Sequence, residues 1–229
     1  MAAIFWDFDG TLVKKNQSFY VSLSHALEDC SIPADPQCFK DFLKRSCSWY
    51  FPETGYPQQV GDLWWDMLLQ KLKKFLEEHG VSGSETAKVC RLFRENAVSF
   101  SYEIYEDASA VLARCSEMGI KNYLLSNNFP ELKETMHAMN LSRYFEDMFL
   151  SSQLGWEKPN QNLFSAALQK ADNPETAIMI GDNPDADMKG GKEAGMITIL
   201  VHGRKSDCSD LCCQNLSEIP DLLLTNHLI

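Results

Sequence analysis

Five short apolar runs stand out along the chain: AIFWDF from Ala3, NYLLSN from Asn122, MFLSS from Met148, AIMIGD from Ala177 and ITILVH from Ile197. None alternates strictly between apolar and polar positions. Near-continuous apolar character in so short a run is what a strand covered on both faces requires. Between the later runs the hydrophobic spacing changes to a helical period. Residues 107–119 read as a helix with Asp107 as N-cap and Gly119 as its closing glycine. Residues 127–140 carry Pro130 in their first turn. Residues 158–171 and 185–194 supply two more helices, the last closed by Gly195. Strands alternating with helices predict an α/β fold, a doubly wound, Rossmann-like parallel sheet.

The interval from Lys14 to Tyr105 breaks this rhythm. It holds no convincing strand and several helical periodicities. Phe19, Leu23, Ala26 and Leu27 share one face, as do Phe39, Phe42 and Leu43. In DLWWDMLLQKLKKFLEEHG an apolar stripe runs through Leu63, Trp64, Met67, Leu68, Leu72, Phe75 and Leu76. Ser82 and Glu85 match a capping box ahead of the next helix. The predicted organisation is a core of residues 1–13 and 106–229 with a helical-bundle cap domain, residues 14–105, inserted after the first strand. Both ends of the insert then return near the C-terminal edge of the sheet, where open α/β sheets bind ligands.

A chain of 229 residues accommodates such a core and insert. Its formal net charge of −11 argues against nucleic-acid or anionic-membrane partners, since no basic block stands out. No apolar run approaches the roughly 18 residues that span a bilayer. With no signal-like stretch at the start, a cytoplasmic protein is expected. The eight cysteines (Cys30, Cys38, Cys47, Cys90, Cys115, Cys208, Cys212 and Cys213) form no C-x-x-C, which fits reduced thiols, several of them buried. CSDLCC, with His202 nearby, lacks zinc spacing and reads as incidental cysteines in a surface connection.

The chemistry concentrates at strand ends. Asp7 and Asp9 sit one residue apart where the first run ends, followed by a Gly10-Thr11 turn. Two carboxylates so placed repel each other and resist desolvation, so something must compensate them. Ser126 and Asn127 close the second run, Lys158 precedes Pro159 at a helix start, and Asp182, Asn183 and Asp187 follow the fourth run. Parallel strands share a C-terminal side, so all of these converge on one edge of the sheet.

D-x-D-G-T, S-N, K-P and G-D-x-x-x-x-D in this order resemble the haloacid-dehalogenase superfamily of aspartate-dependent phosphohydrolases, in the branch with a helical cap between the first two motifs. The resemblance spans nearly the whole chain and implies a role for each position. Asp7 attacks phosphorus and forms an aspartyl-phosphate. Asp9 protonates the leaving alkoxide, then activates water, and gives a metal only its backbone carbonyl. Asp7 and Asp182 supply carboxylates to Mg²⁺, which offsets the crowded negative charge. Ser126 and Asn127 bind the phosphoryl group, and Lys158 fixes a positive charge beside it. Thr11, Asn183 and Asp187 stand behind these, with Asp187 orienting a metal-bound water or pairing Lys158.

The implied activity is a Mg²⁺-dependent phosphatase for a small phosphorylated metabolite, phosphoglycolate-like first, in a monomer or homodimer. A phosphomutase of the same superfamily and a non-catalytic phosphate-ligand-binding protein stay open, and a 2-haloacid dehalogenase, with no need of Asp9 or metal, is disfavoured. Three local departures bear on the substrate. Lys14 and Lys15 sit at the hinge, where one of them facing the pocket would favour a second anionic group. Asn160 follows K-P where Asp is frequent in the family, a difference expected to be structural in role. SWYFPETGYP, with Trp49, Tyr50, Phe51 and Tyr56, reads as a loop that touches the leaving group.

Overall fold

The computed structural model describes residues 2–33 and 35–229. Its centre is a parallel sheet of β1 (Ala2–Trp6), β2 (Lys121–Ser126), β3 (Asp147–Leu150), β4 (Thr176–Gly181), β5 (Ile197–Leu200) and β6 (Leu211–Cys212). The spatial order is β3-β2-β1-β4-β5-β6. From β1 the chain builds outward on one side through β2 and β3, then crosses to β4 and builds outward on the other. The switch point therefore lies between β1 and β4, where Trp6 registers with Ile180. Asp7 and Asp182 follow directly from those two strands. A crevice at that point is where doubly wound sheets take their ligands.

Strand pleating explains why β1 is apolar throughout. Ile4 and Trp6 point to one face and join a cluster that continues into the region between β1 and β2. Ala3 and Phe5 point to the other and pack with Leu163, Phe164 and Ala167. The layers on these faces are α5 (Ala108–Glu117), α6 (Leu132–Ala138), α7 (Ser151–Leu154), α8 (Gln161–Lys170), α9 (Gly190–Glu193) and α10 (Ile219–Thr225). No helix among the described residues is long and apolar enough to cross a membrane.

The region between β1 and β2 contains α1 (Ser18–Glu28), α2 (Pro36–Ser46), α3 (Asp62–Glu78) and α4 (Gly83–Val98). The two connections to the sheet run side by side. Lys14 N–H donates to Glu103 O at 2.7 Å, and Tyr105 N–H donates to Leu12 O at 3.0 Å. The buried faces of α1 and α2 are the expected ones. In α3, however, Leu63 is exposed and Trp65 is fully buried. α3 serves two neighbours at once: Trp65 turns toward the core, where its indole N–H donates to Glu131 Oε2 at 2.8 Å and its ring lies 6.1 Å from Phe129.

Other local expectations are also corrected. Ser82 Oγ contacts the Glu85 carboxylate at 2.5 Å instead of closing a capping box on the backbone. The Asp107 side chain accepts from Ser217 N–H at 2.9 Å and does not cap α5. CSDLCC is more than a surface connection, because Leu211–Cys212 forms the sixth strand beside β5. Residues Pro184–Lys189 form a π turn ahead of α9, in place of one regular helix. Such wide turns insert an extra residue and redirect side chains, and they are frequent at functional sites.

Replacing Trp65 by Ala removes a buried ring and orphans a Glu131 oxygen. The expected loss of stability is about 3–5 kcal/mol, read by urea denaturation; a loss below about 1 kcal/mol would show that this contact does not anchor the helical region.

Candidate active site

Lys158 is the hub of the charged cluster. It is buried, and its ammonium donates to Asp7 Oδ1 at 2.7 Å, Asp187 Oδ1 at 2.6 Å and Leu125 O at 2.9 Å. Burial opposes its charge, but Asp187 and then Asp7 outweigh that and hold its pKa above the ordinary lysine value. Its backbone is gripped too: Lys158 N–H donates to Asn127 Oδ1 at 2.6 Å, and Asn127 Nδ2 returns a bond to Lys158 O at 3.1 Å. Asn127 lines the cleft, but this clamp occupies both ends of its amide, a different use from the phosphate contact expected of it.

Asp7 is presented by the end of β1, with its N–H bonded to Ile180 O at 2.9 Å and Thr11 Oγ1 donating to its Oδ2 at 3.3 Å. Asp9 is held apart from this cluster. Its oxygens accept from Asn16 Nδ2 at 2.7 Å and Asn128 Nδ2 at 2.8 Å. Burial first, opposed by the Asn16 bond and aided by the nearby Asp7, pushes its carboxyl up to about 6. A carboxyl so poised exchanges a proton readily near neutrality.

Asp187 accepts from Asn183 N–H at 3.0 Å as well as from Lys158, so its carboxylate is committed to the lysine pair. Asn183 Oδ1 accepts from the N–H groups of Asp185 and Ala186 and caps the π turn. Ser126, buried at the end of β2, lines the same cleft.

Carboxylate oxygens of Asp7, Asp182 and Asp187 lie within 4.8 Å of one another. Oxygen donors in this number suit a hard cation such as Mg²⁺. Gly10 keeps the space open: at φ 81°, a Cβ there would lie 2.7 Å from Asp182 Cγ. Lys158 holds both Asp187 and Asp7, and the Asn183 N–H takes the second Asp187 oxygen, so all three carboxylates stand as candidate donors. Burial raises the Asp182 pKa, as does Asp7, while Arg204 lowers it.

Between these residues and the helical region lies a cleft of about 760 Å³. Lys15, Trp49 and Tyr50 line it, as do Lys40 and Lys44 of α2. Lys14 does not, because it pairs with Glu103 outside. Of the expected contact loop, Phe51 is exposed and Tyr56 is buried elsewhere. Asn160 caps α8 through Asn162 N–H and donates to Pro52 O at 3.0 Å, the structural use expected of it.

Several contributors escaped the sequence reading. Asn16 and Asn128 flank the D-x-D-G-T and S-N motifs, so proximity to a motif was their signal. Arg204, on the loop after β5, donates to Asp182 O and stands 3.3 Å from its carboxylate. His202 stacks on Tyr105, with a ring nitrogen 3.0 Å from Thr11 O. Glu157, adjoining Lys158, is buried, and its Oε1 accepts from Ser48 Oγ and Tyr56 OH, both at 2.5 Å. A charge between Trp156 and Lys158 offered no periodic signal.

This is a doubly wound α/β architecture with its polar site at the sheet switch point. Residues 1–195 match the family model for haloacid dehalogenase-like hydrolases, and the chain belongs to that family. Haloacid dehalogenase-like hydrolase domain-containing protein 3 of Bos taurus is 28% identical over 207 residues, 86% of this chain and 80% of that protein. The phosphoglycolate phosphatase of Aquifex aeolicus (strain VF5) is 28% identical over 237 aligned positions, 100% of this chain and 99% of that protein. Among solved structures, the magnesium-bound HAD-hydrolase YfnB of Bacillus subtilis superposes with a TM-score of 0.75 at 18% identity, over 97% of this chain and 98% of that one. At that identity the likeness is one of fold.

Burial raises the Glu157 pKa above its ordinary 4.5. A raised acid favours the folded state most below pH 4.5 and loses that contribution as pH climbs through the folded-state value. Glu157→Gln keeps the acceptor for Ser48 and Tyr56 and cannot ionise. The variant is therefore expected to gain on the wild type in melting temperature as pH rises from below 4.5 to neutrality. A constant difference across that range would contradict a strained buried carboxylate.

Proposed function

We propose that the protein is a Mg²⁺-dependent phosphomonoesterase acting on small phosphorylated metabolites through Asp7. The carrying observation is the division of labour between the two motif aspartates: Asp7 is pinned by Lys158 and Thr11, whereas Asp9 is turned away onto Asn16 and Asn128. An oxygen of Asp7 attacks phosphorus in line, the bond from phosphorus to the ester oxygen breaks, and Asp9 delivers its proton to the leaving alkoxide. Asp9 then takes a proton from water as that water attacks the aspartyl-phosphate. Phosphate departs and the Asp7 carboxylate is regenerated.

Lys158 orients Asp7 and presents positive charge to the phosphoryl oxygens, to which Ser126 donates its hydroxyl. Asp7, Asp182 and the backbone carbonyl of Asp9 would hold Mg²⁺, which when bound neutralises charge on the transferring group. The magnesium-bound relative in fold supports this choice of ion. Residues 14–105 act as a cap that shields the reaction from bulk water, over a core of residues 1–13 and 106–229. A phosphoglycolate-like substrate leads, because the phosphoglycolate phosphatase likeness runs the full length of the chain.

Phosphate release across a panel of phosphomonoesters tests this reading. Turnover is expected to vanish with EDTA and return with Mg²⁺. Asp7→Asn should lower kcat by at least about 10³-fold. Asp9→Asn should lower it by about 10²–10⁴-fold. Hydrolysis that survives Asp7→Asn would overturn the assignment of the nucleophile.

A further inference from the structure

The helical region gives the cleft a charge opposite to that of its floor. The floor carries Asp7, Asp9, Asp182 and Asp187, whereas the lining residues contributed by α1, α2 and the turn at Ser48–Tyr50 include no carboxylate. They include Lys40 and Lys44. Spaced i and i+4, these project from one side of α2, while Phe39, Phe42 and Leu43 are buried in the hydrophobic core.

Neither lysine has an acidic partner within ion-pair distance among the described residues. The one carboxylate on α2, Asp41, accepts from Gln37 Nε2 at 2.9 Å. The Lys40 ammonium rests 4.8 Å from the centre of the Tyr20 ring, a contact that orients the charge and leaves it unneutralised. In a chain with 32 acidic and 21 basic residues, two repelling cations left unpaired on a concave wall mark where negative charge is received.

The wall is also held in place. α2 runs through Cys47 into the turn at Ser48–Tyr50, and Ser48 is bonded to buried Glu157, next to Lys158. Asn160 grips Pro52 and Gly155 O accepts from Tyr56 N–H at 2.8 Å, so the same loop is tied to the core at several points. The loop that follows the two lysines is thus anchored to the core, and Lys40 and Lys44 line the same cleft as the phosphoryl site, where charges complementary to a ligand discriminate between ligands.

We infer that Lys40 and Lys44 form a second anion subsite, which takes a carboxylate or a second phosphate on the leaving group of the substrate. This rests on the phosphomonoesterase reading and narrows it to esters that are anionic at both ends. Lys15, 3.9 Å from Asp182 and also lining the cleft, adds positive potential near the phosphoryl site.

The test compares glycerol phosphate, whose leaving alcohol is neutral, with phosphoglycerate and glycerol bisphosphate, which add a carboxylate and a phosphate to a similar frame. Wild-type kcat/KM is expected to favour at least one doubly anionic ester by about tenfold or more, mainly through KM, the size of one charge-assisted contact. That preference should fall by about tenfold in the Lys40→Ala/Lys44→Ala double variant, shrink as salt rises, and return in Lys40→Arg/Lys44→Arg. The ester that responds distinguishes a carboxylate from a phosphate. An unchanged preference in the double variant, or equal losses on all three esters, would overturn the subsite. Absence of turnover on every ester would instead count against the phosphomonoesterase reading; calorimetric binding of phosphoglycerate and glycerol phosphate then reads the same ratio, and equal affinities in wild type and double variant would overturn the subsite on its own.

Discussion

The structure depends on one buried cation. The Lys158 ammonium is enclosed by two carboxylates and a carbonyl, and each of those carboxylates is itself tied to a further donor: Asp7 to Thr11 and Asp187 to the Asn183 N–H. Removing one member would leave its largely buried partner charge unpaired, which costs several kcal/mol. With every member present the cluster is a rigid polar core at the sheet edge. Preorganised charge of this kind is what the proposed electrostatic catalysis requires.

The fold supplies the convergence. β1 and β4 pair at the switch point and deliver Asp7 and Asp182 side by side, β2 ends in Ser126, and the segment between α7 and α8 brings in Lys158. Asn127, one residue beyond β2, clamps the Lys158 backbone and so welds two neighbouring strand ends together. The helical region is joined to this edge both at its paired connections and through Glu157, Glu131 and Asn160. The placement of the lysine and the placement of the cleft wall are thus mechanically linked.

Most of the framework was legible in the sequence because strands covered on both faces leave continuous apolar runs and strand-end aspartates have few structural uses. The sixth strand was missed because two residues carry no period. The stripe read along α3 included Leu63 and left out Trp65 because periodicity finds one apolar face, and α3 packs against two partners. The roles of Asn127, Asn16 and Asn128 depend on which carbonyl or carboxylate a short amide meets in space. Glu157 and Arg204 are single charges in loops, and their partners, Ser48 and Asp182, lie far away in sequence.

Covalent phosphorylation of Asp7, held by Lys158, is the event on which the proposed hydrolysis turns. Acid-quenching the enzyme during turnover of a phosphomonoester and mapping the modified peptide by mass spectrometry measures this. Phosphate on the peptide bearing Asp7, removable by hydroxylamine, is the predicted result. Steady phosphate release with no label on Asp7, or with the label on another residue, would contradict it.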